Sequence, residues 1–169
     1  MQKEKFFENY PAWIVALSNL NSVLIYLCGA LIIYKIGLIW LVLYLLFILL
    51  LEYRLISKHC IDCYYYGKTC AFGKGKLSAL LCKKGDSKKF VKTSVTWKDI
   101  LIDFMVSLIP IIIGICLLVV AFDLSTLFLI VVLLILTFAG NAFGRGNLAC
   151  KHCKQRKQGC PALKLFEKK

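Results

Sequence analysis

The sequence predicts an all-α integral membrane protein with four transmembrane helices paired as two tandem hairpins. Three observations carry this reading. Hydrophobic residues make up 60% of the 169 positions and the mean hydropathy is +0.75, well above the apolar share of a soluble domain. The apolar residues fall into four runs, each close to the roughly 17–25 residues a helix needs to cross about 30 Å of hydrocarbon. The gaps between runs alternate between very short and long polar stretches, which is the pattern of two hairpins.

The first unit, residues 1–56, comprises an N-terminal amphipathic segment and hairpin 1, with helices at about 12–34 and 37–56. Its first run, "AWIVALSNLNSVLIYLCGALIIY", is longer than a signal-peptide core and has no small-residue cleavage site after it, so it is read as a membrane span. Only Lys35 and Ile36 separate it from the second run. Residues 57–99 form a loop rich in Cys and Lys. Hairpin 2 covers 100–143, with helices at about 100–122 and 127–143 joined by "DLST". Residues 144–169 form a second Cys- and Lys-rich stretch, the tail.

Two hairpins put the N-terminus, the loop and the tail on one face. All but Lys35 of the 22 Lys and Arg residues lie on that face or at its helix ends. The positive-inside rule therefore predicts a multi-pass protein of the cell membrane with both termini and the 57–99 loop in the cytoplasm. The same bias accounts for the net charge of +13 through topology and attraction to anionic lipid headgroups, so a nucleic-acid partner is not required.

Of nine cysteines, Cys28 and Cys116 fall inside helices and are expected to pack as small apolar residues. The other seven share the basic face, where a reducing compartment disfavours structural disulfides and favours metal ligation or reactive thiols. "CIDCYYYGKTC" (Cys60, Cys63, Cys70) and "CKHCKQRKQGC" (Cys150, Cys153, Cys160) have one spacing, C-x2-C-x6-C. Each follows the second helix of its hairpin, and Cys28 and Cys116 occupy comparable places in the two first helices. The pattern predicts a duplicated unit of helix, turn, helix and cysteine motif, its halves related by a pseudo-twofold axis along the membrane normal.

A CxxC turn aims two thiolates at one ion, and a third cysteine after a short loop supplies another vertex of the tetrahedron that structural zinc takes. Cys82 can complete the loop set. The tail lacks a fourth cysteine, leaving His152, His59 or a ligand from the other half; alternatively, Cys60, Cys63, Cys150 and Cys153 share one ion. An iron–sulfur cluster is the alternative cofactor, since Pro161 follows Cys160 as in bacterial ferredoxin runs, although the tighter CxxCxxC run is absent.

Other chemistries fit less well. "GKTCAFGKG" lacks the spacing and the terminal Ser or Thr of a phosphate loop, neither CxxC is followed by the His of a haem attachment site, and no hydrolytic residue set stands out. Four-helix thiol oxidases linked to quinones keep their reactive cysteines on the oxidising side, opposite to the arrangement here. Within the helices, Ser18, Asn19, Asn21 and Ser22 suggest interhelical hydrogen bonds, while Asn19, Asn21 and Asp103 are candidate members of an ion or proton path. The expectation is a non-enzymatic membrane protein whose cysteine-bound metal, zinc before iron–sulfur, staples loop to tail and presents a basic platform to a protein partner or membrane complex. An electron-transfer protein and a transporter or sensor of thiophilic metals are the alternatives.

Overall fold

The computed structural model describes residues 6–92 and 96–160, without the side chains of Lys88 and Lys92. Pro161 and the rest of the tail, the first five residues of the amphipathic segment, and loop positions 93–95 lie outside the described residues. The regular elements among the described residues are all helical, and four of these helices are long and apolar enough to cross a membrane.

Helix α1 (Ala12–Tyr34) turns through Lys35, Ile36 and Gly37 into α2 (Leu38–Leu55). Gly37 takes φ +140°, a conformation other residues rarely adopt, which lets the turn close in so few residues. A π-helical turn, Ile56–Cys60, extends α2 to the first motif cysteine. In the loop, α3 (Lys74–Leu81) and α4 (Ser87–Lys92) are short. Helix α5 (Trp97–Val120) opens with a capping box, in which the Asp99 carboxylate accepts from the Thr96 N–H at 3.1 Å and its hydroxyl at 2.7 Å. Asp123 caps α6 (Leu124–Ile135) by accepting from the Ser125 and Thr126 amides.

The fourth helix departs from its expected end near residue 143. It runs on through π-helical segments, Leu136–Gly140 and Ala142–Ala149, into a 3-10 turn at Cys150–His152, followed by the short α7 (Lys154–Gly159). Glycine and asparagine weaken the regular ladder at Gly140, Asn141, Gly144 and Gly146, and π turns collect where that ladder is locally interrupted. The tail motif therefore stands on the end of a membrane helix instead of beginning in a free tail.

Helix α1 is the centre of the bundle and packs against α2, α5 and α6, while α2 buries little beyond Tyr44 and Ile48. Two glycines of the bundle illustrate its close packing. A Cβ on Gly29 would collide with Tyr44 Oη, and one on Gly114 would lie 2.8 Å from Ile130. Pro110 sits inside α5, where its missing N–H leaves the Val106 carbonyl without its usual partner. The Tyr44 hydroxyl donates to that carbonyl at 2.8 Å, so a residue of α2 repairs the break in α5. The Thr137 hydroxyl donates to Ser107 Oγ at 3.0 Å across the contact between α5 and the fourth helix. At the opposite end from the cysteines, Lys35 is not solitary. It pairs with Asp123 and donates to Ser125 Oγ at 2.6 Å and Thr126 Oγ1 at 2.7 Å, latching one hairpin to the other.

Candidate metal centre

The loop, the tail and the N-terminal segment form one module. Residues before α1 are threaded between the two cysteine motifs: the Phe7 amide donates to the His152 carbonyl at 3.1 Å, and the Tyr10 amide to the Thr69 carbonyl at 2.9 Å. The Tyr10 hydroxyl donates to the Ala149 carbonyl at 2.6 Å, and the Tyr65 hydroxyl to the Phe7 carbonyl at 2.7 Å. Tyr10, Ile14, Tyr65, Ala71 and Ala149 make a small buried core, against which Cys63, Cys70 and Cys153 pack. Lys154 pairs with Glu8 on its outer edge.

The two CxxC turns share one local geometry. The Cys63 amide donates to the Cys60 carbonyl at 3.4 Å, and the Cys153 amide to the Cys150 carbonyl at 3.3 Å. The Tyr66 and Arg156 amides then donate to the Cys63 and Cys153 carbonyls at 3.0 and 3.1 Å. In each turn the nearby amides favour the thiolate of the second cysteine: Tyr65 at Cys63, and Gln155 and Arg156 at Cys153. The Gly75 amide donates to Cys70 Sγ at 3.4 Å. The turns face each other, because the Tyr64 amide donates to Gln155 Oε1 at 2.8 Å and the Lys154 amide to the Tyr65 hydroxyl at 3.0 Å.

Sulfur neighbours follow from this clamp. Cys60 is within electrostatic reach of Cys70 and Cys82, Cys63 of Cys153, Cys60 and Cys70, and Cys153 of Cys150 and Cys160. Burial, first, and these neighbouring sulfurs push the Cys63 thiol up to about 12, against the lowering by the Tyr65 amide. Burial likewise raises the Cys153 thiol, opposed by its two amide donors. Donors aimed at sulfur favour its anionic form, and in thiolate metal sites such outer contacts orient the ligands and tune the ion. Ser78 adds an orphan: its hydroxyl is buried without a partner, one turn beyond Gly75 on the face that packs against the loop. The donor set suits a thiophilic ion. Among the described residues, no three Cys, His, Asp or Glu side chains close on a common point as in an assembled site.

The remaining predicted positions are scattered. The His152 ring packs against Phe7 with centroids 5.3 Å apart, and His59 lies within electrostatic reach of Asp99, at the start of α5. Asn19 Nδ2 donates to the Val15 carbonyl at 2.8 Å, Asn21 packs onto Gly140, and Asp103 lies 4.0 Å from Arg54. Each of the three makes its own separate contact. Cys28 is buried and Cys116 is exposed on the bundle. Sequence reasoning missed the N-terminal strap. Its signal was the aromatic pair Phe7 and Tyr10 before a membrane helix, which has the same composition as an ordinary interfacial belt.

Compared with family models, curated proteins and solved structures, the chain matches none at a significant level.

Proposed function

We propose that this is a multi-pass membrane protein whose loop and tail bind a thiophilic metal through the seven module cysteines, and that the metal, zinc before iron–sulfur, holds a basic platform for a protein partner at the membrane surface. The observation that carries the reading is the pair of matching CxxC turns, clamped face to face through the Tyr64–Gln155 and Lys154–Tyr65 hydrogen bonds, with the Gly75 amide donating to Cys70 Sγ. So small a module has little core of its own, and in such modules metal binding supplies folding energy. The positive-inside rule puts the platform in the cytoplasm, where reduced thiols remain available to an ion. The two cysteine units act as a repeat, each delivered by the end of a membrane helix.

Elemental analysis of anaerobically purified protein tests this directly. Stoichiometric zinc, lost in Cys63→Ser and Cys153→Ser together with protease resistance of loop and tail, is the expected result. Metal-free protein with equal resistance in all three forms refutes it. The iron–sulfur reading shares the amide-to-sulfur contacts, which in such clusters set the reduction potential. Visible charge-transfer absorbance with bound iron selects it over zinc.

A further inference from the structure

Beside the cysteine module, between α1, α2 and the start of α3, lies a cavity of ≈ 350 Å³ that the metal reading does not use. Asn19, Ser22 and Tyr26 line it from α1, Glu52 from α2, and Lys74 and Leu77 from α3. Glu52 accepts from the Tyr26 hydroxyl at 2.5 Å and pairs with Lys74 at 2.5 Å. The pair is largely enclosed, with the Lys74 and Glu52 side chains 18% and 26% exposed. Glu52 sits about 21 Å along α2 from Leu38, short of the roughly 30 Å thickness of hydrocarbon. Glu52 therefore lies on a helix long and apolar enough to cross a membrane, and ionisable groups on such helices are costly and mark functional sites.

The local charges do not balance. Arg145, from the extended fourth helix, is within electrostatic reach of both Glu52 and Tyr26, and its guanidinium lies 5.3 Å from the Phe72 ring that also borders the cavity. Glu52 is the one carboxylate among the residues that line the cavity, with the Cys60 thiol also in electrostatic reach of Lys74 and the Cys150 thiol of Arg145, and Lys74 keeps further N–H donors beyond the one given to Glu52. An excess positive charge in low-dielectric surroundings calls for an anion. The approach to the cavity is apolar: Val23 and Leu77 on its rim are 57% and 42% exposed, and Leu80 and Leu81 continue the open face of α3 at 82% and 60%. An amphipathic helix with this apolar face lies in the interface, its leucines among acyl chains.

We propose that the cavity holds the phosphate headgroup of one anionic phospholipid from the basic-face leaflet, engaged by Lys74 and Arg145, with its acyl chains along Val23 and the α3 leucines. The inference does not rest on the metal reading, although Lys74 and Arg145 lie within electrostatic reach of Cys60 and Cys150, and its test needs no metal assay.

The full-length protein is reconstituted in phosphatidylcholine nanodiscs with and without phosphatidylglycerol, returned to detergent, washed and weighed by native mass spectrometry. One retained phosphatidylglycerol per chain is expected, several-fold reduced in Lys74→Gln and Arg145→Gln and unchanged in Lys76→Gln, an exposed cation of the same helix. Glu52→Gln increases the cation excess, so it is expected to retain more lipid, a direction that general loss of structure does not produce. Equal retention of both lipids, or phosphatidylglycerol retention unaltered by Lys74→Gln, overturns the proposal. Displacement of the retained lipid by inorganic phosphate alone assigns the site to a soluble anion and overturns the lipid as its source.

Discussion

Removing the Tyr44 hydroxyl tests how this bundle tolerates a proline inside a membrane helix. Pro110 has no N–H, so the Val106 carbonyl cannot form its ordinary bond one turn along α5, and Tyr44 Oη donates to it at 2.8 Å instead. Tyr44 and Val106 are only 4% and 6% exposed, which leaves no water to substitute. Leaving a buried acceptor unpaired costs about 1–3 kcal/mol, while hydrogen bonds between membrane helices average about 0.6 and reach about 1.7 kcal/mol. Because Tyr44 Oη stands in for the missing proline N–H, Tyr44→Phe is expected to cost about 1–2 kcal/mol. Reversible unfolding in mixed micelles titrated with SDS, followed by tryptophan fluorescence, measures the loss. The decisive comparison is a double-mutant cycle with Pro110→Ala, which returns the missing N–H. In the Pro110→Ala background, Tyr44→Phe should cost only a few tenths of a kcal/mol, because the carbonyl is already paired. An equal cost in both backgrounds, or none in either, refutes the proposed repair.

Gly29→Ala should destabilise the bundle and combine less than additively with Tyr44→Phe, because its Cβ would displace the same hydroxyl; the same unfolding assay reads both. Tyr10→Phe removes the buried bond to the Ala149 carbonyl and should cost about 1 kcal/mol, with faster hydrogen exchange at the start of the tail motif. At the other face, Lys35 first, then the Ser125 and Thr126 groups, hold the Asp123 carboxyl well below its ordinary 3.8. The folded value is the depressed one, so its contribution is complete above about pH 4 and is lost as pH falls through the folded value. Resistance to SDS should therefore decline below about pH 4 in the wild type and less in Asp123→Asn. Chelation should loosen loop and tail to protease while leaving the helices intact by circular dichroism, and Cys116→Ser should leave both readouts unchanged.

The apolar runs determined the four spans by themselves, because crossing hydrocarbon imposes a length and a composition that no neighbour needs to supply. The hairpins followed from "KI" and "DLST", which leave no room for another path. The shared C-x2-C-x6-C spacing singled out the residues of the candidate site, and the structure gives Cys60–Cys63 and Cys150–Cys153 the same backbone turn. Other features were not legible in this way. The fourth helix continues past Gly144 because π turns and tertiary contacts carry a segment whose glycines predict an end. Phe7, Tyr10 and Gln155 act through partners far along the chain, so nothing in their local sequence announces the clamp. Lys74 reads as one lysine among many in a basic loop until folding sets it against Glu52. Solvent preference is a property of each residue and is written along the chain, whereas hydrogen bonds and ion pairs between distant residues exist only once the helices have packed.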